Sequence, residues 1–265
     1  MSRNRKIIIA ACAALVLAVG GVYAFILLRD DAPEALDTGD LDAALNATTV
    51  AGADPSTTAA QATDTAAQAT DTAAGSDTAA GSDTIAAAGS IDGVEGVWNI
   101  TQESTLGYRV SEVLGGVDTE GAGRTTQVTG TLTIEATSAT AAEFTVDMAS
   151  ITSDSDRRDG QFRDRIMSTD DFPTSTFVLT APIDFGTIPA DGEQITATAT
   201  GELTLRGVTN PVTFEVTAQI DGGRLGVLGS IPVLFSEYEI PDPSNGFAVV
   251  KDNGLLEFVL VFERA

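Results

Sequence analysis

The chain has 265 residues, a formal net charge of −24, no histidine, and a single cysteine, Cys12. These counts exclude Ser-His-Asp and Cys-His catalysis, Cys/His zinc sites and disulfides. The charge argues against nucleic-acid partners, which need clustered Lys and Arg, and against a domain lying flat on anionic head groups; it suits an exported protein kept soluble by its acidic surface.

The first element is apolar. No charged residue interrupts the sequence from Ile7 to Leu28. As a helix that stretch is about 33 Å long, enough for a hydrocarbon core of roughly 30 Å. Arg3, Arg5 and Lys6 precede it, and Arg29 is offset at once by Asp30 and Asp31. The positive-inside bias therefore predicts residues 1–29 as a cytoplasmic tip and single-pass transmembrane anchor in the cell membrane, with everything after it extracytoplasmic. The competing expectation is a signal peptide cut after Val22-Tyr23-Ala24 and a secreted product. Ile9-Ala10-Ala11-Cys12 superficially resembles a lipoprotein box, but too few apolar residues precede Cys12 for that.

Residues 30–93 are expected to form a disordered acidic linker built from Ala, Thr, Asp, Gly and Ser. Gln61-Ala62-Thr63-Asp64-Thr65-Ala66-Ala67 is repeated at once from Gln68 to Ala74. Lys and Arg are absent between Arg29 and Arg109, and aromatic residues between Phe25 and Trp98. Such a composition has almost nothing to bury and cannot offset its ordering entropy. As a flexible coil it would span roughly 40–50 Å. The Thr-rich composition permits O-glycosylation, and its alanines permit stretches of helix.

The globular part is expected over residues 94–265. Period-two alternation marks strands at Thr131-Leu132-Thr133-Ile134-Glu135, at Phe144-Thr145-Val146-Asp147-Met148 and at Val212-Thr213-Phe214-Glu215-Val216-Thr217. It recurs with small residues at Ile195-Thr196-Ala197-Thr198-Ala199-Thr200, and Glu257-Phe258-Val259-Leu260-Val261-Phe262 closes the domain. Gly115-Gly116, Ala190-Asp191-Gly192, Asp221-Gly222-Gly223 and Asp252-Asn253-Gly254 read as turns. About eight strands with short turns predict an all-β closed antiparallel barrel, with a β-sandwich as the alternative. One segment breaks the pattern: Ser155-Asp156 is placed to cap a short helix through Met167, with Phe162, Ile166 and Met167 on one face.

An ordered set of motifs then carries a resemblance. It begins with Gly96-Val97-Trp98-Asn99-Ile100, Gly107-Tyr108-Arg109-Val110 and Val128-Thr129-Gly130-Thr131-Leu132. It continues with Ser150-Ile151-Thr152, Arg158-Asp159, Asp171-Phe172-Pro173 with Phe177, and the stretch between Gly201 and Val212. From Gly96 onward the chain resembles the YceI-like family, lipocalin-like periplasmic proteins that bind polyisoprenoids. The resemblance implies an eight-stranded antiparallel barrel with one short helix and an elongated apolar interior, holding a polyisoprenoid lipid such as a quinone or a prenyl phosphate. Where the family commonly has histidines, this chain has Arg109 and Gly160-Gln161, and Glu237-Tyr238-Glu239-Ile240-Pro241-Asp242-Pro243 replaces the expected charged hairpin. These departures bear on the head group.

A ligand-holding barrel needs an apolar interior left partly empty, with a few polar groups at its mouth. The large apolar candidates are Trp98, Tyr108, Phe144, Phe162, Met167, Phe172, Phe177, Phe214 and Phe235. Each of them equally suits a solid core. Arg158 and Arg163, in the cluster that also contains Arg157 and Arg165, are the candidates for a head-group clamp. The alternative for that cluster is local ion pairing with Asp154, Asp156, Asp159 and Asp164. Gly201 and Gly207 read as a bulge and a turn. No catalytic residue, metal ligand or cofactor is expected beyond the lipid, and no spacing picks out a carboxylate pair for a hydrolase. A homodimer is compatible with the sequence but not dictated by it. The competing function is a non-enzymatic surface or structural β-module with a fully packed core.

Overall fold

The computed structural model describes residues 32–47, 93–246 and 248–265. The expected membrane anchor and most of the expected linker lie outside the described residues. Among the described residues no helix is long and apolar enough to cross a membrane.

The expected barrel is present and closed. Its strands are β1 (Gly96–Ile100), β2 (Thr105–Leu114), β3 (Val117–Thr125), β4 (Val128–Glu135), β5 (Ser138–Asp147), β6 (Thr152–Ser153), β7 (Thr174–Ala181), β8 (Ile183–Asp184), β9 (Gln194–Leu205), β10 (Val208–Asp221), β11 (Arg224–Leu234) and β12 (Ala248–Arg264). The wall runs β1-β4-β5-β7-β9-β10-β11-β12, and β1 pairs with β12 to close eight strands into a ring. β2, β3 and β6 prolong β1, β4 and β5 toward one end: β2 continues along β12, β3 pairs with β2, and β6 with β3. Closure rules out the sandwich and leaves few unpaired edges.

The β1–β2 junction shows how a break in a strand is healed. Ser104, fully buried, accepts a hydrogen bond from Val261 N (2.9 Å) through its hydroxyl, which also donates to Val261 O (3.2 Å). A side chain thus occupies the gap in the ladder and keeps the Val261 amide paired there.

Two turn readings fare differently. Gly222 and Gly223 take positive φ (56° and 81°) between β10 and β11, as a tight hairpin turn requires. Asp252-Asn253-Gly254 is not a turn. β12 runs through it with a register shift between Val250 and Gly254, a bulge that moves the strand along β2.

The expected helix starts where its cap predicts. Ser155 caps helix α2 (Asp156–Gln161), but Phe162–Ile166 continues as a π-helical turn ending at Met167. Asp159, 6 % exposed, accepts from both Ser153 N (2.9 Å) and Ser153 Oγ (2.6 Å), which ties the helix to β6.

The linker expectation requires a correction at its N-terminal end. Within 30–93, Thr38–Leu45 forms helix α1, packed on the outside of β11 and β12. Asp37 builds a capping box: its carboxylate accepts from Gly39 N (2.7 Å) and Asp40 N (3.1 Å), and Asp40 accepts from Asp37 N (2.9 Å). Leu41 and Leu45, one turn apart, are 0 % and 5 % exposed against Val259 and Val261. Gly226 supplies the room, since a Cβ there would lie 2.5 Å from Leu41 Cδ1. At the other end, Arg224 Nη1 donates to Leu45 O (3.0 Å) and Ala47 O (3.1 Å), satisfying terminal carbonyls beside the negative end of the helix dipole. Two leucines and two well-made caps are enough to order a segment whose average composition is that of a disordered one.

Candidate functional site

The barrel interior is divided. Toward the end built by β2, β3 and β6 lies a chamber of about 620 Å³, and toward the opposite end a smaller space of about 120 Å³. Strand alternation positions the lining. On β2, Leu106, Tyr108, Val110, Glu112 and Leu114 face the large chamber, and on β12 Leu256 does so. The helical segment supplies Phe162, Ile166 and Met167, so that the face expected from spacing is the one turned inward. Tyr108 stacks on Phe162 with centroids 5.1 Å apart and planes 10° apart, locking helix to barrel. β3 leaves room for this: a Cβ at Gly123 would lie 2.6 Å from Tyr108 Cε1, and one at Gly121 3.3 Å from Arg158 Nε.

The polar groups gather at the rim. Arg158 pairs with Glu112 (3.3 Å) and with Asp154, which precedes the helix cap. The ion-pairing alternative therefore describes Arg158. Arg157, also at the rim and exposed, has no hydrogen bond or ion pair among the described residues. Arg165 donates to Asp242 O and Pro243 O (2.9 Å each), pinning the helix to the segment after β11 that replaces the expected hairpin. Burial, reinforced by the carboxylates of Asp159, Asp154 and Glu112, holds the Tyr108 phenol protonated well above its usual range. On the apolar wall, Ser175 is 2 % exposed and its hydroxyl has no partner among the described residues. No group of three or more acidic or cysteine side chains among the described residues has the arrangement of a metal site.

The expected site residues separate into three places. Tyr108, Phe144, Phe162, Met167, Phe235 and Arg158 line the large chamber. Phe177 and Phe214 line the small one, which Phe144 also borders. Trp98, Phe172 and Arg163 line neither. Trp98 donates from Nε1 to Val94 O (2.9 Å) and lies under Arg264, sealing the β1–β12 seam. Phe172 packs on the β9–β10 turn, where a Cβ at Gly207 would lie 2.7 Å from its ring and the Arg206 guanidinium lies 5.5 Å from the ring centroid. Sequence reasoning passed over Phe258, Leu203, Leu256 and Ser175. For Phe258 and Leu256 the signal was available, because they alternate with Leu260 and Phe262 on the inward face of the last strand.

Arg109, the departure from the family's usual histidine, points away from the chamber. It is 6 % exposed on the outer surface, bonded to Glu257 (3.1 Å) and Glu120 (2.8 Å) and donating to Pro33 O (2.6 Å). Its role belongs to the strap formed by the segment carrying α1.

Comparison with known proteins agrees with this architecture. A polyisoprenoid binding domain from Saccharophagus degradans, implicated in plant cell wall breakdown, has 18 % identity and a TM-score of 0.53, covering 64 % of this chain and 98 % of its own. BcnA of Burkholderia cenocepacia has 25 % identity and a TM-score of 0.48, covering 61 % and 98 %. No curated protein matches in sequence. Residues 98–262, more than half of the chain, match the YceI-like domain, and the chain belongs to the YceI-like family.

Proposed function

We propose that this protein is a non-enzymatic, extracytoplasmic lipid carrier that holds a polyisoprenoid in the large chamber. The observation that carries the reading is the 620 Å³ apolar space inside a closed barrel, bounded by Leu, Val, Phe and Met side chains. That volume lies in the range of small-molecule sites. Each methylene-sized group moved from water into it contributes about 0.8 kcal/mol, so a branched hydrocarbon is held by its tail. The polyisoprenoid named for the Saccharophagus degradans domain supports the choice of tail. The competing reading, a fully packed structural module, calls for a filled interior.

For the head group, the charges at the rim favour a neutral quinone or a singly phosphorylated lipid over a pyrophosphate. Glu112 and Asp154 face Arg158 and Arg157 there, and only Arg157 is without a partner among the described residues. The Ser175 hydroxyl offers a further hydrogen bond to a ligand oxygen. Residues 7–28 are proposed to anchor the barrel to the cell membrane, near the lipid it carries.

The test is solvent extraction of full-length protein purified from a menaquinone-producing host, with mass spectrometry of the extract. A prenyl lipid in near-stoichiometric amount is expected. Absence of any prenyl lipid, together with no saturable uptake of added menaquinone or prenyl phosphate, overturns the reading. Membrane fractionation and the mass of the mature N-terminus test the anchor; a mature start at Phe25 would replace it by secretion.

A further inference from the structure

Four phenylalanines form an aromatic wall of the small chamber, contributed from around the barrel, and Phe144 among them also borders the large chamber. Phe144 (β5), Phe177 (β7), Phe214 (β10) and Phe258 (β12) contact one another in a closed cycle. Their centroid separations are 5.3 Å for Phe144–Phe177, 5.4 Å for Phe177–Phe214, 6.1 Å for Phe214–Phe258 and 5.7 Å for Phe258–Phe144. One pair is stacked, one is tilted and two are edge-to-face, the arrangements aromatic quadrupoles favour. All four rings are at most 7 % exposed.

Two glycines show that the wall is specified by the sequence around it. A Cβ at Gly201 would lie 2.5 Å from the Phe177 ring, and one at Gly229 2.5 Å from the Phe258 ring. Gly201, read from the sequence as a bulge, thus also vacates the space one of these rings fills. Beyond the quartet the small chamber is lined by apolar side chains such as Ala197, Ala199, Val216 and Leu260.

Resting on the lipid-binding reading above, we infer that the phenylalanine quartet is a stop that sets the length of prenyl chain the barrel accepts. An apolar cavity of ~150 Å³ holds one six-carbon benzene. By that yardstick the large chamber takes roughly 25 carbons, about five isoprene units, and the small chamber about one unit more. A longer chain must leave its excess at the mouth, in water, where it contributes nothing to affinity. Replacing Phe144, the ring that borders both chambers, removes the stop and joins them. The gained space and the small chamber together hold roughly two further units.

The experiment uses the full chain and all-trans prenyl alcohols of two to nine units, competed against one fluorescent geranylgeranyl probe. The alcohols carry no charge, so head-group contacts do not enter. Affinity is expected to rise by at least about tenfold per unit up to about five units and then to level off. In Phe144→Ala, and in the milder Phe214→Leu should the first variant fold poorly, the plateau is expected to begin one to two units later. Affinity that climbs without a break through nine units overturns the stop, as does an unchanged break in a folded variant. Failure of every alcohol to compete would instead remove the lipid-binding reading, and the stop with it.

Discussion

Between Leu256 and Phe262 β12 is buried on both faces, and the two faces are buried in opposite ways. Outward, Val259 and Val261 are 2 % and 0 % exposed beneath the leucines of α1. Inward, Leu256 and Phe258 border chambers. The outer face is close-packed and the inner face stops short of filling its space. A barrel that keeps part of its interior open gives up packing contacts there, and here an element added to the outside makes further ones. Burial and filling are separate quantities. From Leu256 to Phe262 the strand is buried on both sides and filled on one.

That contrast can be broken from the outside first. Glu257, 3 % exposed, is the carboxylate shared by Arg109 and Arg124 beneath the strap. Glu257→Ala leaves a buried guanidinium short of its partner, at an expected cost of about 3 kcal/mol. Urea denaturation measures it, and a loss below about 1 kcal/mol would mean the network does not hold the outer face.

Leu41→Ala sharpens the comparison by loosening the strap alone. The lost methyl groups and the space left behind cost about 2–3 kcal/mol. Hydrogen exchange is expected to rise at the amides of α1 while the amides of β9 and β10 and the affinity for a prenyl lipid stay unchanged. Deprotection spreading through the barrel would show that strap and barrel form one cooperative unit.

The smallest effect separates the faces by pH. The folded Tyr108 phenol has its pKa raised, so its contribution is fully present below the unfolded value near 10 and is lost as pH rises above it. Stability is expected to fall above about pH 10 by at most ~1.4 kcal/mol per pH unit for this group. Tyr108→Phe should make the decline shallower, read by thermal melts between about pH 9 and pH 11. Tyr238, also buried and raised, leaves a residual slope. Equal slopes in both proteins would mean that Tyr108 ionises freely in the fold.

Much of the barrel was legible because one buried face per strand imposes alternation. The helix was legible because Ser155 and the spacing of Phe162, Ile166 and Met167 are local signals. α1 was not, since an average over residues 30–93 hides two leucines one turn apart. A second clue lay at the other end of the chain: Phe258 to Phe262 is five apolar residues in a row, the mark of a strand covered on both sides. What could not be read was which aromatics share a chamber. Trp98 and Phe177 look alike as inward-facing strand residues, and only the closure of the ring sends one to the seam and the other to the quartet.

The strap also decides where a pull on the chain is felt. Arg109 and Arg124 hold the backbone carbonyls of Pro33 and Glu34, so a load arriving from the N-terminal side meets the barrel there, well before Gly93. The strap would take that load first, through its guanidinium–carbonyl bonds and two leucines. The sixteen described residues of the strap thus fix where the N-terminal part of the chain leaves the barrel wall.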